Sequence, residues 1–138
     1  MRLEQLKNLK ALLEANLSYN QIYDIPHLQA TDFPNLEVLN LSYNKLSRSS
    51  LQALNQLSKL RVLDLSANGL RDLPQEFARY QALEELNLSA NELESTDATI
   101  QSTFKYLGTL PHLKRLNLSH NKLQMFHSEL INPETDFL

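Results

Sequence analysis

Leucines and polar residues follow one eleven-residue pattern that recurs five times along the chain. The pattern is leucine, two variable residues, leucine, one variable, leucine, two variable, asparagine, one variable, leucine. Its four strong copies are Leu36–Leu46, Leu60–Leu70, Leu83–Leu93 and Leu113–Leu123, and a weaker first copy is Leu12–Ile22. The asparagines of the five copies, at positions 20, 44, 68, 91 and 121, are 24, 24, 23 and 30 residues apart. A recurring period of this length indicates a stack of similar structural repeats.

Within each copy, apolar and polar residues alternate, as in Val38-Leu39-Asn40-Leu41-Ser42. A period of two predicts a short strand with one buried face. Five such strands, one from each repeat, would form a parallel sheet about 20 Å across at about 4.8 Å per strand. We expect the leucines to point into the core and the intervening residues to line the opposite face of the sheet.

The recurring asparagine is predicted to have a structural role. The chain must turn sharply after each strand, which leaves backbone N–H and C=O groups that the sheet no longer pairs. An amide side chain has both a donor and an acceptor, so a buried ladder of asparagines can bond successive turns together. We favour this interpretation over a ligand-binding amide.

The segments that return between strands differ among the repeats. Leu51, Leu54 and Leu57 have helical spacing after Ser47, a candidate N-cap. Residues 70–77 contain Pro74 and predict a looser outer segment. In the longer fourth repeat, Ile100, Phe104 and Leu107 predict a helix of about three turns that ends near Gly108.

Neither end of the stack has an obvious polar cap. Leu3, Leu6 and Leu9 are interpreted either as the outer segment of a repeat or as a small helical cap. We interpret Phe126, Leu130, Phe137 and Leu138 as the outer segment of the fifth repeat, with no sixth strand. Because solenoids cover their terminal repeats, we expect a segment of a longer chain or ends that contact another protein.

The pattern and its period resemble the leucine-rich repeat family over nearly the whole chain. The resemblance implies an α/β solenoid: a right-handed superhelix with a parallel concave sheet of about five strands and short helices or turns on the convex side. It also implies one domain of five repeats over residues 1–138. The repeat length and the proline turn resemble the intracellular class, whose members act as regulatory subunits and scaffolds, including in cytoskeletal and ciliary assemblies.

The composition favours some cellular locations and some kinds of partner over others. The chain has 138 residues, no cysteine and a net charge of −3. Extracellular relatives usually have cysteine-bonded caps, so we expect a reducing, cytoplasmic location. The acidic balance gives no reason to expect nucleic acid, and no stretch is long enough to span a membrane. Four Asn-Leu-Ser triplets, beginning at Asn16, Asn40, Asn87 and Asn117, match the glycosylation pattern, but we interpret them as recurring strand residues.

No arrangement of residues predicts catalysis. The chain has two glycines and therefore no glycine-rich phosphate loop, and it has no cysteine nucleophile. The recurring serines occupy one repeat position, which explains them structurally. His27, His112, His120 and His127 do not have the spacing of metal ligands within one element. We therefore expect no enzyme activity, no cofactor and no small-molecule substrate.

The residues expected on the concave face predict a protein-binding surface. The predicted site residues are Tyr19, Val38, Tyr43, Val62, Glu85 and Arg115. Exposed aromatic and apolar side chains contribute much of the energy of protein interfaces. The two tyrosines could instead brace the turns. The alternative function is an architectural subunit that is bound through its ends and its convex face; a receptor for non-protein ligands is disfavoured.

Overall fold

A computed structural model describes residues 3–25, 28–94, 104–123 and 136–137. Its strands form one parallel sheet in chain order. The strands are β1 (Glu14–Asn16), β2 (Val38–Asn40), β3 (Val62–Asp64), β4 (Glu85–Asn87), β5 (Arg115–Asn117) and β6 (Asp136–Phe137). The first five are the strands that the repeats predict, and their parallel order is the one expected for a stack of repeats.

Leucines at the same repeat position lie side by side in the sheet. Leu39 pairs with Leu63, Leu63 with Leu86, and Leu86 with Leu116. All four are at most 2% exposed. Because neighbouring parallel strands are about 4.8 Å apart, each leucine packs directly against the next, and the core runs the length of the stack. Ala15 fills this position in β1 with a smaller side chain.

The prediction that no sixth strand follows the fifth repeat was wrong. Asp136 and Phe137 pair with Arg115 and Leu116 of β5. A parallel strand offers N–H and C=O groups along both edges, so a short extended segment can pair with β5 without the full leucine pattern. Phe126, Leu130 and Leu138, which were assigned to the same outer segment, lie outside the described residues.

Helical segments on the convex side largely follow the predictions. Helix α1 (Arg48–Leu54) begins after Ser47, whose hydroxyl accepts a hydrogen bond from the Ser50 N–H at 3.3 Å, and it buries Leu51 and Leu54. The outer segment of the third repeat contains a 3₁₀ helix, Gln75–Arg79, which buries Phe77. A further 3₁₀ helix, Leu3–Leu6, lies before β1, in agreement with a small helical cap.

The described part of the fourth outer segment contains a single helical turn, α2 (Lys105–Gly108). Its end at Gly108 agrees with the prediction, and Phe104 and Leu107 are buried. The remainder of the predicted helix, including Ile100, lies outside the described residues.

The asparagine ladder is confirmed. The Asn68 amide donates to the carbonyls of Leu41, Leu65 and Ser66 at 3.0–3.1 Å, and its oxygen accepts from the Leu46 N–H at 3.2 Å. Asn44, Asn91 and Asn121 make corresponding bonds. Each of these amides therefore joins its own turn to the turn of the preceding repeat, and Asn44, Asn68 and Asn91 are buried.

The last residue of each of β1–β5 is polar and forms a local turn with the serine two residues later. The side-chain oxygen of Asn40 accepts a hydrogen bond from the Ser42 N–H at 2.9 Å, and Asn16, Asp64, Asn87 and Asn117 do the same with their own serines. This local turn accounts for the repeated Asn-Leu-Ser triplets. The residue after the serine then has a left-handed backbone in every repeat, at Tyr19, Tyr43, Ala67, Ala90 and His120, with φ between 53° and 57°.

Candidate protein-binding surface

The first positions of the strands form one continuous row on the concave face, which is the side of the sheet away from the core. In register, the row contains Glu14, Val38, Val62, Glu85 and Arg115. Both valines are half-buried beside each other in the middle of the stack. The structure thus places four of the six predicted site residues in adjacent positions, although 77 residues of sequence separate Val38 from Arg115 (115 − 38).

A groove lies over β3, β4 and β5 on this face. Its volume is about 230 Å³, and the side chains that line it include Val62, Asp64, Glu85, Asn87, Arg115 and Asn117. Val62 supplies an apolar wall, and the other side chains are polar or charged. A few polar groups beside an apolar wall are suited to the specific recognition of a side chain.

Tyr19 and Tyr43 lie outside this groove, at the turns that follow β1 and β2. Their rings are stacked, with centroids 4.2 Å apart and planes 9° from parallel. They remain 70% and 51% exposed. The pKa of Tyr19 is raised, first by desolvation at the stack and then by the hydrogen bond and charge of Tyr43. The pair therefore joins two repeats and also presents aromatic surface to solvent.

Charged residues beside the row pair with one another. Arg61 Nε lies 3.0 Å from Glu84 Oε1, and Lys114 Nζ lies 3.3 Å from Glu84 Oε2. Arg61 Nη1 also lies 3.3 Å from Glu37 Oε2. Hydrogen bonds from Arg61 and then from Lys114 lower the pKa of Glu84, and hydrogen bonds to Glu84 and Glu37 raise that of Arg61. Within the row itself, Arg115 pairs with Glu85.

Two residues of this surface were not among the predicted site residues. Asp64 lines the groove, and the other repeats have asparagine at the equivalent position. The single charged residue at this position could therefore have been noticed in the sequence. Leu13, just before β1, is 55% exposed. The equivalent residues in the later repeats are Glu37, Arg61, Glu84 and Lys114, and an apolar residue among them also stands out.

Neither a metal site nor a membrane-spanning helix is found in the described part of the chain. No group of three histidine, aspartate or glutamate side chains there could hold a metal ion. None of the helices within the described ranges is long and apolar enough to cross a membrane. His27 and His127 lie outside those ranges.

Comparisons with solved structures agree with the fold. An internalin C2 from Listeria monocytogenes superposes with a TM-score of 0.76 at 23% identity, over 99% of this chain and 56% of that chain. At this level of identity the similarity establishes the fold alone.

Sequence comparisons identify relatives of several kinds. Osteomodulin of Bos taurus is 34% identical over 90% of this chain, and the adenylate cyclase of Schizosaccharomyces pombe is 36% identical over 86% of it. The chain spans 33% of the first protein and 7% of the second, so it is similar to a segment of each.

Family profiles described as leucine rich repeat match residues 7–70 and 109–124. These two ranges include the asparagine turns of the first, second, third and fifth repeats. Leucine-rich repeat proteins are generally protein-interaction modules and typically lack enzyme activity. With the repeated pattern, the parallel sheet and the asparagine ladder, the profile matches establish that this chain belongs to the leucine-rich repeat family.

Proposed function

We propose that this chain is a non-catalytic protein-binding module or scaffold that docks a protein partner on its concave face. The observation that carries the proposal is the row from Val38 to Arg115, where the sheet register brings apolar and charged side chains of four repeats together. The stacked tyrosines extend this surface toward the first repeat. Aromatic and arginine side chains are the types that contribute most at protein interfaces.

The proposal predicts that changes on the concave face abolish partner capture without unfolding the protein. A suitable variant combines Tyr43→Ala, Glu85→Lys and Arg115→Glu, which removes an aromatic ring and reverses an ion pair. None of the three residues belongs to the leucine core. Proteins captured from a cell lysate would be identified by mass spectrometry, and circular dichroism would establish that the variant is folded.

A matched control changes the convex side. Arg79, in the outer 3₁₀ helix, and Lys105, in α2, are both exposed. The double variant Arg79→Glu and Lys105→Glu should capture the same partners as the parent. If capture is lost in this variant and retained in the concave one, the alternative architectural role, through the ends and the convex face, is favoured instead.

We also propose an intracellular location and, more specifically, a place in a cytoskeletal or ciliary assembly. The absence of cysteine supports the compartment, because disulfide-bonded caps are common in secreted proteins of this kind. The engagement of the Asn-Leu-Ser side chains in local turns supports it further. Fluorescence microscopy of the tagged protein in its native cells tests the location. A glycosidase-sensitive mass shift of the natural protein would contradict it.

A further inference from the structure

The charges on the concave face are unevenly compensated. Glu37, Arg61, Glu84 and Lys114 pair with one another, and Glu85 pairs with Arg115. Two other acidic residues of the concave face, Glu14 and Asp64, have no ion-pair partner among the described residues. Of these two, Glu14 is exposed, whereas Asp64 is half-buried and lines the groove. The groove therefore contains one carboxylate whose charge is not neutralised by a neighbouring cation.

Neutral donors occupy most of the acceptor sites of Asp64. Its Oδ1 accepts from the Ser66 N–H at 2.9 Å and from the Ser66 hydroxyl at 2.6 Å. Its Oδ2 accepts from the Asn87 amide at 3.2 Å. A carboxylate has about four acceptor sites, so three are in use and one remains, on Oδ2.

This arrangement favours lysine over arginine as the cation that binds there. The forked arginine guanidinium pairs best when both carboxylate oxygens are open to two parallel hydrogen bonds. Oδ1 of Asp64 is already taken by Ser66. A lysine ammonium acts as a compact charge and needs a single acceptor, with its remaining donors directed to water or to the nearby amides.

The apolar contact lies at a defined distance from this acid. Val62 and Asp64 are two residues apart on the same face of β3. Their spacing along the strand is about 6.6 Å, which is also the distance between alternate side chains of an extended peptide. A peptide that lies along β3 can therefore place an apolar side chain at Val62 and a lysine at Asp64.

We propose that the groove binds an extended protein segment in which an apolar residue and a lysine are separated by one residue. This inference rests on the proposed function and specifies the chemistry of the partner. Its occupant is a lysine-containing peptide segment, because the groove has an uncompensated negative charge beside an apolar wall.

A phage-displayed library of random heptapeptides tests the inference directly. The parent protein should enrich lysine, two positions from leucine, isoleucine or valine, by about threefold to tenfold over the input. Asp64→Asn should remove the lysine enrichment and retain the apolar preference. Asparagine occupies this position in the other repeats and makes the same turn with its serine, so this variant is a conservative change.

A charge-matched variant provides the control. Val38 and Asn40 in β2 have the same spacing as Val62 and Asp64 in β3. Adding Asn40→Asp to Asp64→Asn moves the acid by one strand, beside another valine. The double variant keeps the net charge of the parent but should not regain the lysine enrichment, because β2 does not line the groove. Regained enrichment would show that the groove is not required.

Three further outcomes would overturn the inference: no lysine enrichment by the parent, equal enrichment by Asp64→Asn, or a preference for arginine. Any of these outcomes is compatible with the proposed function, provided that the concave triple variant fails to capture partners from lysate. If that variant captures partners like the parent, the proposed function fails separately.

Discussion

Arg115 Nη1 lies 2.5 Å from Glu85 Oε1, and the pair joins the first positions of β5 and β4. The sequence pattern predicts these two residues as separate contacts for a partner. In the folded chain they form one unit, so reversing one charge also places two like charges side by side. The effect of either single charge change must therefore be compared with that of the double exchange.

Exchanging the two charges distinguishes their effect on stability from their effect on partner binding. Glu85→Arg or Arg115→Glu alone should lower the free energy of unfolding by up to about 1 kcal/mol, because the pair is largely solvated. The double exchange should restore stability in urea unfolding but still lose partner capture, since a partner fitted to the original pattern meets reversed charges. Capture at the level of the parent by the exchanged pair would show that the partner does not contact it.

Asn68→Ala should destabilise the fold by about 1–3 kcal/mol, because buried carbonyl and N–H groups of two repeats lose their partners. Urea unfolding followed by circular dichroism measures this change. The control is Asn20→Ala, whose amide donates to the Ser18 carbonyl within its own repeat. The control should cost less than about 1 kcal/mol. Equal costs at the two positions would argue against a ladder that joins repeats.

Ala67→Gly should be neutral or stabilising, in contrast to the usual effect of glycine. Ala67 has φ of 53°, a conformation that costs an L-residue about 1–2 kcal/mol and glycine almost nothing. Relief of this strain offsets the greater freedom of glycine in the unfolded chain. The matched change Ala53→Gly, within α1, should destabilise by about 1 kcal/mol. Thermal unfolding of the two variants should therefore shift in different directions or by clearly different amounts.

Tyr80→Phe should stabilise the protein. The Tyr80 hydroxyl is buried and has no hydrogen-bond partner among the described residues, although its ring packs edge-on against Phe77. Removing an unsatisfied buried hydroxyl should raise the free energy of unfolding by about 1 kcal/mol or more. Tyr23→Phe, at an exposed position, is the control and should have little effect.

The same residue predicts a dependence on alkaline pH. Burial raises the pKa of Tyr80 above its ordinary value of 10.0. Above that pH the unfolded chain ionises this tyrosine while the folded chain keeps it neutral, so unfolding becomes more favourable as pH rises. The parent should thus lose more stability than Tyr80→Phe between neutral pH and a pH above 10. Parallel losses in the two proteins would contradict the buried, neutral hydroxyl.

The strands and the core could be predicted from sequence because one pattern specifies them repeatedly. Leu39, Leu63, Leu86 and Leu116 occur at the same place in their copies, and the sheet sets them side by side. The strand at Asp136–Phe137 could not be predicted in this way. It pairs through backbone groups, which any extended segment can supply.

The sequence predicted which residues lie on the candidate surface better than it predicted how their side chains interact. Alternation placed Val38, Val62, Glu85 and Arg115 on the solvent face, and the register confirmed that they are neighbours. The pairing of Arg115 with Glu85 depends on side-chain conformations that no pattern encodes. The left-handed turns at Tyr19 and Tyr43 were also missed, because glycine and asparagine are the usual signals for such a backbone.

The asparagine ladder also gives the solenoid a direction. Asn44, Asn68, Asn91 and Asn121 each donate to a carbonyl of the repeat before their own, so each turn is completed by its successor. A duplicated repeat inserted between two others would receive this bond from one neighbour and supply it to the other. The 30-residue interval before Asn121 keeps the same joint as the shorter intervals. The number of repeats and the length of their outer segments can therefore change during evolution without redesigning the contacts between neighbours.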